Sequence, residues 1–210
     1  MGIYLAVYNV FQLIGWLTIV SLVIFYAPFT LEVYSVPIIR LTVIIFQNLM
    51  GLEILHSLLR LTPSPLATTF MQVGGRICFV WGCMELEPKA AAATPLLLAW
   101  SSAEVIRYSH YLFASLGTPT PKFMLWLRYS AFIVLCPMGI FSEILWWYAA
   151  FPIIEKCCPR VYSIEMPNAY NFAFDYLIML KISLPLTYII GFPYIYKYML
   201  TQRTRKIKED

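Results

Sequence analysis

Three side chains that can move protons recur at seven-residue intervals in an otherwise apolar stretch. They are Tyr129, Cys136 and Glu143. At about 100° per residue, seven residues return to within about 20° of the same helix face, two turns further along. Pro137 and Gly139 interrupt this face, and a proline removes a backbone donor and loosens the turn before it. We therefore expect a polar stripe at a kinked helix, where a carboxylate kept from water suits acid–base catalysis.

The composition indicates that several membrane-spanning helices position this stripe. The 210 residues are 60% hydrophobic and 12% charged, whereas soluble domains have about 45–50% apolar and about 25% charged residues. A helix crosses a ~30 Å hydrocarbon core with about 20 residues. We expect an all-α bundle of six transmembrane helices with a polar interior site, forming one integral membrane domain over residues 1–210. The expected spans are 5–26, 37–57, 66–86, 94–116, 123–150 and 173–200.

Basic residues near the ends of these spans predict the orientation. The formal charge of +4 is concentrated in the basic tail at 201–210 and the residues just before it, which does not resemble a nucleic-acid footprint. Because cytosolic flanks carry the excess of lysine and arginine, this tail is predicted to be cytosolic. An even number of spans then places the N-terminus there too, together with Arg60 and Lys122. The loop at 151–172, with Lys156 and Arg160, counts against this orientation.

Both termini carry further hints about targeting. The first span lacks the basic n-region and cleavage site of a signal peptide, so we expect a retained helix. The last five residues, Lys206 to Asp210, resemble the K-x-K-x-x signal that returns membrane proteins to the endoplasmic reticulum. The same lysines also fit a plain basic flank of the last span. The pattern leaves both interpretations open.

Charged residues inside the predicted spans indicate a polar cavity. Each costs about 2.5–3.5 kcal/mol even on a lenient insertion scale, so each calls for a partner or a function. Glu53 and His56 are three residues apart, as are Glu104, Arg107 and His110, so each set follows one helix stripe. Glu104 and Arg107 form either an intrahelical ion pair or part of a site. His56 is either a proton carrier or a hydrogen-bonded interior histidine.

Other chemistries find little support in the sequence. None of the five cysteines has the spacing of a zinc site, and none has an arginine six positions later, as the C-x5-R phosphatase motif requires. We therefore expect no zinc site and no phosphatase activity. Intramembrane charges also suit a channel or transporter, but no inverted repeat supports one. A purely structural scaffold remains an alternative.

Six stretches together resemble the 3-hydroxyacyl-CoA dehydratase family, also called protein tyrosine phosphatase-like, and most of all its plant PASTICCINO type. The resemblance extends over essentially the whole chain. The stretches are YLAVYNVFQLIGW (4–16), LEILHSLL with the following SP (52–65), QVGGRICFVW (72–81), AWSSAEVIRYSHY (99–111), WLRYSAFIVLCPMGIFSE (126–143) and MPNAYNFAFDY (166–176).

This resemblance implies a six-span enzyme of the endoplasmic reticulum membrane. Its reaction removes water from a very-long-chain (3R)-3-hydroxyacyl-CoA to give the trans-2-enoyl-CoA, the third step of fatty acid elongation. The implied partners are this long-chain substrate, the condensing enzyme and the two reductases of the cycle, and membrane lipid. The chemistry needs one group to take the proton at C2 and another to protonate the departing 3-hydroxyl, without metal or redox cofactor.

The resemblance also assigns the site residues. The family's fifth span reads R-Y-x-x-F-x-x-L-Y-P-x-G-x-x-x-E, with the tyrosine before the proline and the final glutamate as the catalytic pair. Glu143 matches the glutamate, whereas Cys136 stands at the tyrosine position. Arg60 is a second departure, because the family usually has glycine there. The expected supporting polar residues are Arg128, Arg107, Glu104 and His56.

Two hypotheses follow from this substitution. In the first, the chain is a working dehydratase in which Glu143 is joined by Cys136, by a bound water or by Tyr129 as a substitute. In the second, the chain is a weak or inactive paralogue that acts as a binding or scaffold subunit of the elongase complex.

Overall fold

The computed structural model of the protein describes residues 2–209, and for Leu184, Thr187 and residues 206–209 it describes the backbone alone. The expected all-α class is confirmed: 76% of the chain is helical, and no strand occurs among the described residues. The predicted retrieval signal at Lys206 and Lys208 lies outside the described side chains.

The chain divides into two compact units, Met1–Trp147 and Tyr148–Asp210. In the first unit a 3₁₀ turn, Val33–Ser35, precedes the second helix, and a π-helical turn, Val80–Met84, follows the fourth. The helices that lie in this unit or begin in it are α1 (Gly2–Tyr26), α2 (Pro37–Leu49), α3 (Leu52–Leu58), α4 (Leu66–Phe79), α5 (Ala93–Ser115), α6 (Lys122–Ser130) and α7 (Phe132–Cys157).

The second unit contains the end of α7, a connecting loop and two further helices. These are α8 (Tyr176–Leu186) and α9 (Phe192–Glu209), separated by a π-helical turn at Thr187–Gly191. Pro185 lies inside the last turn of α8, and its missing amide explains why regular helical bonding gives way there. Within the loop, Ile164 and Phe174 pair as an isolated antiparallel bridge.

Four helical stretches are long and apolar enough to cross a membrane, which supports a membrane protein. They are Gly2–Tyr26, Pro37–Leu58, Lys122–Cys157 and Tyr176–Arg205. The other two expected spans, 66–86 and 94–116, do form helices, α4 with its π turn and α5. Polar residues such as Glu104 and Arg107 give α5 a less apolar composition. The number of six spans therefore stays a prediction.

The first unit is held together mainly by α1 lying along α5. On α1, Trp16, Ile19 and Val23 recur every three to four residues and are fully buried, which is the spacing of one helix face. Helix α2 approaches α1 closely at Gly15, where an added Cβ would collide with the Phe46 ring. Glycine at this position thus lets the two helices touch.

The expected fifth span is not one uninterrupted helix. Regular α-helix stops at Ser130 and resumes at Phe132, with Ala131 in a turn between α6 and α7. The amide of Ala131 still donates to the Leu127 carbonyl at 2.8 Å, and that of Leu135 to the Ala131 carbonyl at 2.9 Å. The irregularity lies before Pro137 and is slight, because Ala131 itself has helical backbone angles, φ −60° and ψ −30°.

Candidate active site

Arg107 is the centre of a buried ionic cluster between three helices. From α5 its guanidinium donates to both carboxylate oxygens of Glu53 on α3, at 3.0 and 2.9 Å. It also pairs with Glu104 one turn earlier on its own helix, at 2.6 Å. One of the two alternatives considered for Glu104 and Arg107, an intrahelical ion pair, agrees with this contact, and Glu53 adds a pairing with a second helix. Two carboxylates share one guanidinium in surroundings where an unpartnered charge would be costly.

Aromatic and hydroxyl groups extend this cluster toward the start of α1. Tyr108 hydrogen-bonds to Glu53. The Arg107 guanidinium lies over the Tyr108 ring, 4.7 Å from the ring centre. His56 is buried and hydrogen-bonds through Nε2 to the Tyr4 hydroxyl at 2.9 Å. The Tyr8 ring meets His56 edge-on at 4.9 Å. Of the two roles considered for His56, a hydrogen-bonded interior histidine agrees with these contacts.

Away from the start of α1, a second arginine connects the ionic cluster to Glu143. Arg76 on α4 pairs with Glu104 and lies over the Trp100 ring, 4.8 Å from its centre. The Trp100 indole N–H donates to Glu143 Oε1 at 3.0 Å. Glu104 thus joins the Arg107 cluster to Arg76, and Trp100 joins Arg76 to Glu143, the carboxylate expected to be catalytic. We call this series of side chains the polar line; its members are Arg107, Glu104, Arg76, Trp100 and Glu143.

Cys136 and Glu143 both lie on α7, seven residues apart, and Cys136 is half-buried. Between them, Gly139 brings α7 close to α5, since an added Cβ would be 3.6 Å from the Ala99 Cβ. The common action of Cys136 and Glu143 on one substrate stays a prediction.

Arg128 and Tyr129 lie on α6, before the break at Ala131. The Arg128 guanidinium lies 5.2 Å from the centre of the Tyr111 ring, and the Arg107 guanidinium lies 5.7 Å from the same centre. Arg128 is thus placed near the ionic cluster through an aromatic ring. Tyr129 is half-buried, and its place on one face with Cys136 and Glu143 stays a prediction.

Sequence reasoning missed Trp100 and assigned no site role to Arg76. The only available signal for Arg76 was its charge inside a predicted span. Trp100 gave none, because a tryptophan in an apolar stretch is usually a packing residue. Its role as a donor to Glu143 depends on a contact across 43 residues of sequence.

A separate polar cluster caps the end of the unit where α2 begins. Arg40 donates to both oxygens of Glu85, at 3.0 Å from Nε and 2.6 Å from Nη2. The buried Tyr34 hydroxyl donates to Glu85 at 2.7 Å, and burial together with this carboxylate raises the pKa of Tyr34 far above its usual value. Arg40 lies in the predicted span 37–57, and these contacts account for its charge there: it is a structural partner of Glu85.

No grouping of three or more histidine, cysteine, aspartate or glutamate side chains suited to a metal occurs in the described part of the chain. The ionisable groups of the site are instead carboxylates matched with guanidinium groups. This arrangement is suited to holding a proton-accepting carboxylate in a defined position.

Comparison with known proteins identifies the family. A family model described as "Protein tyrosine phosphatase-like protein, PTPLA" matches residues 47–209. The chain belongs to this family. The PTPLA match includes every predicted site residue, from His56 to Glu143, and it confirms the resemblance carried by the sequence motifs. No solved structure matches the chain.

Several relatives in this family carry a named activity. A very-long-chain (3R)-3-hydroxyacyl-CoA dehydratase of Caenorhabditis elegans is 39% identical over 206 residues, covering 96% of this chain and 93% of the relative. The dehydratase PASTICCINO 2 of Arabidopsis thaliana is 36% identical over 211 residues, covering 99% and 94%. The human dehydratase 2 is 40% identical over 211 residues, covering 97% and 80%.

The ionic cluster leads to a stability prediction. Replacing Arg107 by methionine leaves Glu53 and Glu104 without their shared cation, so we expect the free energy of unfolding to fall by about 3–5 kcal/mol. Unfolding of the purified protein in detergent micelles, followed by circular dichroism, measures the change.

The matched control is Glu155→Gln, which breaks the exposed Lys181–Glu155 pair with its 3.2 Å separation. Exposed pairs contribute about 1 kcal/mol or less. Equal losses in the two variants would contradict a special stabilising role for the buried cluster.

Proposed function

We propose that this protein dehydrates very-long-chain (3R)-3-hydroxyacyl-CoA to the trans-2-enoyl-CoA. The observation that carries the proposal is Glu143: it matches the family's catalytic glutamate and lies at the end of a buried polar line, held by the Trp100 N–H. The dehydratase names of relatives at 36–40% identity supply the substrate and reaction class.

Glu143 is the base that takes the proton from C2. The electron pair of that C–H bond becomes the C2–C3 double bond, and the C3–O bond breaks. A proton from the Cys136 thiol goes to the departing hydroxyl, which leaves as water. The proton held by Glu143 then returns to the thiolate, so the enzyme is restored and only water is lost. We favour Cys136 over Tyr129 as the acid because Cys136 stands at the position of the family's catalytic tyrosine.

Arg76 has a supporting electrostatic role in this proposal. Loss of the C2 proton places negative charge on the thioester oxygen, and a fixed cation near that oxygen lowers the barrier. Arg76 lies over the ring whose N–H binds Glu143, so its charge is close to the base. Glu104 and Arg107 hold Arg76 in place and do not themselves touch the substrate.

The membrane arrangement belongs to the same proposal. The chain is one integral membrane domain with six spans, the four apolar stretches together with α4 and α5. Both termini are cytosolic, because the basic tail, Arg60 and Lys122 then share one side. The protein resides in the endoplasmic reticulum membrane and acts with the condensing enzyme and reductases of fatty acid elongation.

Direct assay of the purified protein tests this function. The protein in detergent or nanodiscs is incubated with a long-chain (3R)-3-hydroxyacyl-CoA, and the enoyl-CoA product is separated and identified by mass spectrometry. We expect turnover that requires the 3R substrate, with the 3S isomer as the matched control. Substrate binding without product would instead indicate the non-catalytic subunit role.

A further inference from the structure

An open cavity lies at the loop that joins α3 to α4. Its volume is about 770 Å³, within the range of about 300–1,000 Å³ typical of small-molecule sites. Its lining is half polar and half apolar, with Ser57, Arg60, Thr62 and Ser64 beside Leu58, Leu61, Pro63 and Leu66. The Ser57 hydroxyl donates to the Ser64 carbonyl at 2.7 Å, which ties the two ends of the loop together beside the cavity.

Arg60 is held in an unusual backbone conformation at this cavity. Its φ of 54° lies in the left-handed region that favours glycine. Its amide donates to the Ser57 carbonyl at 3.1 Å, and the next amide, of Leu61, donates to the His56 carbonyl at 2.8 Å. Hydrogen bonds therefore fix the turn that carries this side chain. Left-handed non-glycine residues recur at functional sites.

The charge around the cavity has one sign. Within the described residues Arg60 forms no ion pair, and no carboxylate lines the cavity. The first turn of α4 borders it through Leu66, and the amide groups at a helix start add partial positive charge. Hydroxyl groups of serine and threonine can donate hydrogen bonds to an oxyanion. This chemistry suits a phosphate.

The cavity adjoins the polar line that ends at Glu143. His56 directly precedes Ser57, and Glu53 on the same helix bonds to Arg107. On α5, Trp100 lies seven residues before Arg107, about 10 Å along the helix axis. Its indole N–H donates to Glu143. A ligand that spans this distance would have its charged end at the cavity and its uncharged reactive end at Glu143.

We propose that the Arg60 cavity binds the phosphate groups of coenzyme A while the thioester reaches Glu143. This inference rests on the proposed function, which supplies the acyl-CoA. Phosphates cannot enter hydrocarbon without a large penalty, so the nucleotide end needs a site at the water-facing end of the bundle. Arg60 binds substrate but takes no part in proton transfer.

The first test compares two substrates that differ only in their phosphates. Arg60→Gly removes the charge and suits the left-handed backbone, so folding is preserved. We expect KM for the 3-hydroxyacyl-CoA to rise about tenfold, the loss of one charge-assisted contact, with kcat unchanged. KM for the corresponding 3-hydroxyacyl-pantetheine should stay the same. Arg60→Lys should recover part of the affinity, and Arg160→Gly in the second unit is the matched control.

A binding measurement separates this inference from the proposed function. Adenosine 3′,5′-bisphosphate is titrated into the protein in nanodiscs of neutral lipid, with wild type compared with Arg60→Gly. If the wild type binds adenosine 3′,5′-bisphosphate and Arg60→Gly does not, the phosphate site at the Arg60 cavity is supported even if no turnover is found. Equal KM changes for both substrates, or an Arg60 effect seen only with vesicles containing anionic lipid, would overturn the assignment to coenzyme A.

Discussion

Replacing Glu143 by glutamine is expected to lower kcat for dehydration by about 10²–10⁴-fold, the contribution of a positioned general base. An amide cannot take the C2 proton. Its oxygen can still accept the Trp100 N–H bond, which the carboxylate accepts at 3.0 Å. We therefore expect KM and the unfolding temperature to change little, so that the loss is confined to the chemical step.

The measurement is steady-state turnover of a long-chain 3-hydroxyacyl-CoA, with exchange of the C2 proton followed separately by mass spectrometry in heavy water. Glu32→Gln is the control, because Glu32 is an exposed carboxylate before α2. If Glu143→Gln keeps wild-type exchange and turnover, Glu143 is not the base and the proposed mechanism fails at its first step.

Local patterns in the sequence predicted much of the helical architecture. Apolar runs located the helices, because a backbone in hydrocarbon must satisfy its own hydrogen bonds. The expected start at 37 and the expected span at 94–116 agree with α2, which begins at Pro37, and with α5, Ala93–Ser115. The spacing of Glu104 and Arg107 offered an ion pair as one of two alternatives, since residues three apart lie on one helix face.

Contacts between distant parts of the chain were beyond these patterns. Glu53 and Arg107 are 54 positions apart, and Trp100 and Glu143 are 43 apart. Such pairings depend on how whole helices pack and rotate, which no local period encodes. Ala131, between α6 and α7, keeps helical backbone angles, φ −60° and ψ −30°. The face expected to be shared by Tyr129, Cys136 and Glu143 therefore stays a prediction.

The polar line also shows how a bundle can carry many charges without exposing them to lipid. Each arginine serves two or more acceptors: Arg107 bonds Glu53 and Glu104, and Arg76 bonds Glu104 and covers Trp100. Removing one member leaves others without partners, so the cluster fixes the relative rotation of α3, α4 and α5. The Trp100 N–H connects Glu143 to this set.

Substitutions at Cys136 are expected to change activity in both directions. Alanine removes the proton donor, so we expect kcat to fall about tenfold or more, whereas serine keeps a hydroxyl donor and should retain most of the activity. Tyrosine restores the donor found in the family pattern and reaches further into the site. We expect Cys136→Tyr to raise kcat about tenfold or more, even if the added ring costs about 1–3 kcal/mol of stability through overpacking.

The matched control for this series is Tyr129→Phe, which removes the phenol on α6 and should leave kcat unchanged. Combining Cys136→Tyr with Glu143→Gln should abolish the gain, because the donor and the base act on the same substrate. A silent wild type with an active Cys136→Tyr would show that the chain has lost catalysis and would favour the subunit role. Loss of activity in Tyr129→Phe with none in Cys136→Ala would transfer the acid role across the break at Ala131.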